Sequence, residues 1–396
     1  MAKHDLAREI NELKNQLSYS KNIGFFLGAG SSCALGIPNI AQLTTEVEGS
    51  LKGELSKGFK CLKEDLESTF PDKTINIEDI LNHIRRIRDI TGERGDKKYL
   101  DVNGEAAKKL DNEICKQIYT IISEKELEAN LGNTKKLFAW LSMQNRDFSK
   151  EVFTTNYDLI IEKSLEEIQV PYFDGFIGSY EPFFWQESID KFVEHTDLTH
   201  NWIRLWKIHG SLGWFWKKNT DTDSHKIIRV GKVDDITKED NELVIYPSKE
   251  KYDSSRKQPF IAYFDRLKNY LLKGEHLFIF SGYSFSDQHI NEIIFNCLRQ
   301  NKRLCVLVFF YQDEEVETLY KLSASYLNLS AFGPKKALIN GNIGEWDFNK
   351  DDCLWHQTFW DESKETLTLG DFNNLATFLV ASSGKKETIE SMIDDK

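Results

Sequence analysis

Five polar side chains stand directly after apolar runs of the chain, at points where strands are expected to end. They are Asn156 and Asp158 after one run, His209 after the next, and Ser284 and Asp287 after a third. An imidazole can accept a proton near pH 7, and a side-chain amide can donate and accept hydrogen bonds at once. Together these groups could hold a hydroxyl-rich ligand and orient a water molecule for attack.

A turn of small residues follows the first apolar run, residues 23–27. Its backbone can approach a ligand closely and could offer N–H groups to a phosphate. The spacing is not the dinucleotide-binding Gly-x-Gly-x-x-Gly fingerprint, because the third glycine would fall at Cys33. The turn indicates a phosphate-binding corner, with a tight structural turn as the alternative. Its residues are Gly28, Ala29, Gly30, Ser31 and Ser32.

The elements that must position these residues alternate between strand and helix. Predicted strands cover residues 23–27, 151–153, 202–208, 276–281 and 304–310, and helices lie near 39–51, 159–168, 259–272 and 288–300. This alternation predicts an α/β fold, with a Rossmann-like parallel sheet and helices on both faces. Loops at the carboxyl ends of such strands converge on one crevice, so the candidate residues are expected to share one site.

Residues 52–131 are predicted to form a mostly helical insertion. One apolar stripe runs from Ile77 to Ile87 behind an Asn76 N-cap, and a second runs from Leu110 to Ile121. Both stripes favour core packing over a cofactor site. The polar stretch 91–104 between them is expected to be a loop.

The remaining segments are less regular. Residues 4–20 predict an amphipathic helix, residues 171–200 an irregular aromatic segment, and residues 212–217 and 226–232 a hairpin around 219–224. After Asp313 the pattern loosens, apart from a last helix near 372–379. We therefore expect a catalytic domain over residues 1–312, which includes the insertion, and a C-terminal extension over 313–396.

Charge and cysteine usage argue against two classes of protein, nucleic-acid-binding proteins and zinc ribbons. The 396 residues contain 51 Lys and Arg against 63 Asp and Glu, a net charge of −12, which disfavours direct nucleic-acid binding. The six cysteines contain no Cys-x-x-Cys pair, which argues against a zinc ribbon and for thiols in a reducing cytosol. Neither a signal peptide nor an apolar run near the ~20 residues of a membrane span is visible. We expect a cytoplasmic protein without membrane contact.

Three motifs in a fixed order resemble the sirtuin-like NAD-consuming family. They are Gly28-Ala29-Gly30-Ser31, then Thr154-Thr155-Asn156-Tyr157-Asp158, then His209-Gly210, and the resemblance spans roughly residues 23–287. It implies NAD as substrate, with Asn156 orienting water and ribose and His209 as general base. The implied NAD-binding residues are Gly28, Ala29, Gly30, Ser31, Ser32, Asp158, Gly282, Tyr283, Ser284 and Asp287. We expect the last four on the side of NAD opposite the first turn.

Each of these residues also has a purely structural alternative. Asn156 could be a cap, His209 a structural residue, and Asp158 the N-cap of the following helix. Asp287 could likewise simply open the helix at Gln288.

The sequence differs from protein-deacylating sirtuins in two motifs. Their four zinc cysteines are missing, so no zinc is expected, and their Gly-Ile-Pro-Asp-Phe-Arg becomes Gly36-Ile37-Pro38-Asn39-Ile40-Ala41. The turn Gly282-Tyr283-Ser284-Phe285-Ser286-Asp287 instead resembles bacterial sirtuin-like NAD hydrolases of anti-phage defence. That resemblance implies an oligomer and a HerA-type ATPase as partner. The alternatives are a protein deacylase or ADP-ribosyl transferase, and a silent module that binds NAD or ADP-ribose.

Overall fold

The structure, a computed structural model, describes residues 2–19, 22–144, 149–191, 202–218, 225–231, 241–245, 259–353 and 355–394. The predicted turn at 219–224 and part of the aromatic segment therefore lie outside the described residues. The strands are β1 Ala2–Asp5, β2 Asn22–Leu27, β3 Lys98–Tyr99, β4 Val102–Asn103, β5 Lys150–Thr154, β6 Tyr172–Phe173, β7 Phe176–Ile177, β8 Phe183–Phe184, β9 Ile203–Lys207, β10 Gly210–Lys218, β11 His225–Arg229, β12 Asn241–Ile245, β13 His276–Ser281, β14 Leu304–Phe309, β15 Leu329–Phe332, β16 Lys336–Ile339, β17 Asn342–Asp347, β18 Trp360–Asp361 and β19 Thr366–Leu367.

Helices account for most of the remaining described chain. They are α1 Leu6–Tyr19, α2 Ala29–Cys33, α3 Ile40–Ser50, α4 Gly53–Thr69, α5 Ile77–Thr91, α6 Gly104–Glu128, α7 Gly132–Ser142, α8 Ile160–Glu167, α9 Glu187–Lys191, α10 Phe260–Leu272, α11 Gln288–Gln300, α12 Asp313–Ser323, α13 Phe372–Ala381 and α14 Lys386–Asp394.

A ten-stranded sheet organises the molecule, in the order β1-β17-β16-β15-β14-β13-β2-β5-β9-β6. Every pairing from β15 to β6 is parallel. Side chains on β2 and β13 alternate between two cores, since Phe25 and Ile279 join one and Phe26 and Phe280 the other. Helices α1, α7, α8 and α13 cover the first face, and α10, α11 and α12 the second. The predicted α/β sheet with helices on both faces is confirmed.

The helical segment before β5 builds a third core with residues of α3. Helices α4, α5 and α6 pack there, and the stripe from Ile77 to Ile87 is buried as predicted. Asn76 caps α5 through a capping box, as its position indicated. The expected loop between the stripes contains the short β3–β4 hairpin. Residues of a second sheet, ordered β12-β10-β11-β8-β7, close this core, including Leu212 and Phe215.

Residues after Asp313 are more regular than the sequence pattern predicted, and the expectation of a loosened pattern is wrong. Strand β15 continues the parallel sheet, and β16 and β17 add antiparallel strands to it. Asn340 and Gly341 both have positive φ in the tight turn between β16 and β17. An Asn-Gly pair between short apolar runs is a strong hairpin signal, and it was readable in the sequence.

Candidate active site

Four loops meet at one edge of the sheet because they follow the carboxyl ends of four neighbouring strands, β13, β2, β5 and β9. In the sheet, strands β5 and β9 lie on one side of β2, and β13 lies on the other side of β2. Ligands of such sheets bind where the strand order reverses in this way. The candidate site residues lie in these four loops or, for Ala29 to Ser32, in the short helix α2 that follows β2.

The two glycine turns interlock at this edge. Gly30 N–H donates to the Gly282 carbonyl at 2.9 Å, and Gly28 N–H donates to the Ser281 carbonyl at 3.0 Å. A Cβ atom on Gly28 would lie 2.4 Å from the Gly282 oxygen, and one on Gly30 would lie 2.7 Å from the Gly282 Cα. Glycine is therefore required by the close approach of two backbones.

This packing changes the expected role of the first turn. The N–H groups of Gly28, Gly30 and Ser31 donate to protein carbonyls, so they are occupied rather than offered to a phosphate. The two turns also touch each other at this point. Helix α2 begins immediately at Ala29, whereas the sequence predicted that the first helix after this turn would begin near Asn39, which is the N-cap of α3.

Asn156 ties the loop after β5 to the first turn. Its Nδ2 donates to the Gly28 carbonyl at 3.0 Å, to Ser31 Oγ at 3.1 Å and to Ser32 Oγ at 2.8 Å. The side chain is buried, with 7% of the residue exposed. Since these contacts occupy the amide nitrogen, Oδ1 is the amide atom that can accept from a water molecule or a hydroxyl.

His209, at the end of β9, is paired with Asp287 in the loop after β13. His209 Nε2 lies 3.0 Å from Asp287 Oδ2, while Asp287 Oδ1 accepts from His289 N–H and Ile290 N–H as the N-cap of α11. Burial alone would raise the pKa of Asp287, but the hydrogen bond and charge of His209 and the capping N–H groups hold it below its usual value. One carboxylate therefore both caps a helix and orients an imidazole.

Asp158 cross-links loops as well. Its Oδ2 accepts from Ser32 Oγ at 2.7 Å and its Oδ1 from Ile160 N–H at 3.2 Å. It therefore contacts the start of α8, although the N-cap is Leu159 and not Asp158. The buried Lys207 donates to the Asp158 carbonyl and, at 2.7 Å, to Glu162 Oε1. These contacts fix the loop that carries Asn156.

A cleft of ≈ 1140 Å³ opens beside these loops, slightly above the range of about 300–1,000 Å³ of small-molecule sites. Most of the predicted residues line it. Gly28, Gly30 and Ser31 do not, because they hold the turn together. The predicted residues that do line it are Ala29, Ser32, Asn156, Asp158, His209, Gly282, Tyr283, Ser284 and Asp287.

Helix α5 contributes lining residues that the sequence analysis missed. Glu78, Asp79 and Asn82 face the cleft, and Glu78 Oε1 accepts from Tyr157 OH at 3.1 Å. The polar positions that interrupt the Ile77–Ile87 stripe were the sequence signal for these lining residues.

Within the described parts of the chain, no group of three or more His, Cys, Asp or Glu residues could hold a metal ion. None of the described helices is long and apolar enough to cross a lipid bilayer.

Comparison with a family model supports part of the resemblance. The model described as a SIR2-like domain matches residues 150–328, which include Asn156, His209 and the Gly282–Asp287 turn but not the first glycine turn. A comparison with curated proteins finds no match.

Several solved structures are similar to the chain at low identity. One described as a Sir2 homologue–NAD complex is 15% identical with a TM-score of 0.41, over 78% of this chain and 84% of that chain. A mutant Sir2 homologue in complex with ADP-ribose is 14% identical with a TM-score of 0.40, over 75% and 83%. Sir2Tm bound to a propionylated peptide is 13% identical with a TM-score of 0.36, over 76% and 85%.

Proposed function

We propose that the chain hydrolyses NAD to nicotinamide and ADP-ribose, with Asn156 and His209 as catalytic residues. The observation that carries this proposal is the meeting of an amide and a carboxylate-paired imidazole beside one cleft, at the ends of adjacent strands β5 and β9. The SIR2-like match over the same loops supports NAD as the substrate.

The chemistry requires little from the protein beyond binding and proton transfer. Water attacks C1′ of the nicotinamide ribose, the C1′–N bond breaks, and its electron pair leaves with neutral nicotinamide. Asn156 Oδ1 accepts a hydrogen bond from the water or a ribose hydroxyl and orients it. His209 takes the proton of the attacking water, and the Asp287 carboxylate stabilises the imidazolium that forms.

Incubation of the purified protein with NAD, with and without an acylated peptide, tests this reaction. We expect nicotinamide and ADP-ribose without the peptide. His209→Ala should lose about 100-fold or more, since general-base catalysis contributes that much, and Asn156→Ala should lose about as much, since it no longer orients the water. His356→Ala is a matched control, because His356 also pairs with a carboxylate, Glu362 at 2.8 Å, yet does not line the cleft.

Any other result of this incubation would indicate one of the alternative functions. Turnover that requires the peptide would indicate a deacylase, covalent ADP-ribosylation a transferase, and NAD binding without turnover a silent module. Wild-type turnover in either site variant would contradict the role assigned to that residue.

By resemblance, we further propose that NAD depletion serves anti-phage defence and is controlled by assembly, with a homo-oligomer and a HerA-type ATPase as partners. Helix α1 packs on the central sheet and helices α4–α6 form the third core, so self-association is proposed from the resemblance alone. Light scattering tests it directly. A monodisperse monomer with full NAD hydrolysis at nanomolar concentration would contradict this part of the proposal.

A further inference from the structure

Helix α5 presents two different faces. Its apolar stripe is buried in the third core, and Ile80 and Ile84 are both fully buried. Its polar residues Glu78, Asp79 and Asn82 share the face that lines the cleft, because positions three and four apart lie together on a helix. The helix therefore forms part of the cleft wall and also belongs to the segment expected to be an insertion.

Two of these polar residues already have protein partners. Glu78 Oε1 accepts from Tyr157 OH at 3.1 Å. Asp79 pairs with Lys73 and, as the third residue of the capping box, accepts from Asn76 N–H. Both side chains are thus explained by contacts within the fold.

Asn82 is different. Both of its amide atoms, Nδ2 and Oδ1, are covered by the protein, and neither has a hydrogen-bond partner among the described residues. A buried polar group without a partner is costly, and native proteins satisfy nearly all of them. Because Asn82 lines the cleft, a ligand bound there is a source of the missing partner.

The surroundings restrict what that partner can be. The same cleft is lined by apolar residues of the chain around and within α3, and by Ile122 of α6. Apolar walls beside an amide that has no partner suit a flat heteroaromatic ring that has a donor and an acceptor side by side on its edge. The apolar lining residues are Ile37, Pro38, Ile40 and Leu43.

We propose that Asn82 is a ligand-recognition residue, which pairs its amide with an adjacent donor and acceptor on one heteroaromatic group of the dinucleotide. This inference rests on the proposed function for the identity of the ligand. NAD carries two such groups, the nicotinamide carboxamide and the amino edge of adenine. The helical segment would thus select the ligand that the loops of the sheet cleave.

Calorimetric titration with three ligands tests the proposal and separates the two groups. The ligands are NAD, its nicotinic acid analogue, which lacks the carboxamide donor, and its hypoxanthine analogue, which lacks the adenine amino donor. Titrations use the His209→Ala protein so that NAD is not consumed, with Asn82 intact, Asn82→Ala or Asn82→Asp. Asp89→Ala, on the exposed face of α5, is the matched control.

With Asn82 intact, we expect NAD to bind at least about tenfold more tightly than one of the analogues, and that analogue identifies the group. Asn82→Ala should bring this ratio close to one, as a lost buried hydrogen bond is worth roughly that factor. Asn82→Asp, which keeps an acceptor but not the donor, should change the ratio as well. Asp89→Ala should leave it unchanged.

The remaining outcomes overturn the proposal in distinguishable ways. If affinity ratios are the same with and without Asn82 while the melting temperature falls, the amide has a structural role only, and this inference alone fails. If the protein with an intact Asn82 binds neither NAD nor either analogue, the proposed function fails together with it.

Discussion

The two ends of the central parallel strands both bury polar side chains, but they do so in different ways. Near the amino end of β5, Glu151 accepts from Trp206 Nε1 at 2.6 Å and forms a bidentate pair with Arg266. At the carboxyl end, Asn156 and His209 are buried almost as deeply but lie beside a cleft. One end is closed by opposite charges, and the other presents polar groups to a cleft.

Two glutamates show the same contrast in their pKa values. Burial would raise the pKa of Glu151, but Arg266 beside it holds that pKa below the usual value. Glu126, whose Oε1 accepts from Leu159 N–H at 2.6 Å just after the Asn156 loop, has its pKa raised to about 7 by burial. Burial of a carboxylate therefore does not by itself mark a functional residue. Glu151 is buried but paired with Arg266, and such a pair has a structural role.

The largest expected effect tests the closed end. Glu151→Gln removes the anion that Arg266 faces in the protein interior, and breaking a buried pair in this way costs about 3–5 kcal/mol. Thermal or urea unfolding should show a large loss of stability. Glu317→Gln is the control, since Glu317 forms a surface pair with Lys336, and its melting temperature should stay unchanged. Equal effects in the two variants would contradict the contrast.

The next effect tests the open end. Asp287→Asn keeps an oxygen to cap α11 but removes the negative charge beside His209, so NAD turnover should fall by about 10- to 100-fold with little change in stability. Asp287→Ala should additionally lose about 1 kcal/mol from the missing cap.

Asp371 provides the control for this prediction because it caps α13 with the same geometry, accepting from Asn373 N–H at 2.8 Å. Asp371→Asn should leave turnover at the wild-type rate. If Asp287→Asn did so too, Asp287 would be a helix cap without a role in the reaction.

The smallest effect concerns Glu126. Its raised pKa means that the folded state holds a proton which the unfolded state releases between about pH 4.5 and 7, so stability falls as the pH rises through this window. Glu126→Gln keeps the acceptor for Leu159 N–H and removes the charge. At pH 8 it should be about 1–2 kcal/mol more stable than wild type, a gain that disappears at pH 5.

Unfolding measured at both pH values checks this, with the exposed Glu124→Gln as control. A constant difference between Glu126→Gln and wild type across the pH range would show that Glu126 is ionised in the folded protein throughout.

Much of the central sheet could be predicted from the sequence, because strands and helix caps depend on local patterns. The apolar runs became β2, β5, β9 and β13, and Asn76 caps α5, since strand burial and helix capping involve residues close in sequence. The regular structure after Asp313 was missed even though the Asn340-Gly341 turn signalled it. The strands β15 and β16 are short, so their apolar periodicity is weak and the turn between β16 and β17 is the stronger signal.

By itself, the sequence determined that polar residues stand at strand ends and that parallel strands bring those ends together. The tertiary structure decided which atoms they meet. His209 and Asp287 are 78 residues apart, and Gly30 and Gly282 touch through a contact that depends on the pairing of β2 with β13. The role proposed for Asn82 depends likewise on how α5 packs with α3 and α6. Such contacts join distant segments, and no local pattern encodes them, because they arise from the way whole elements pack.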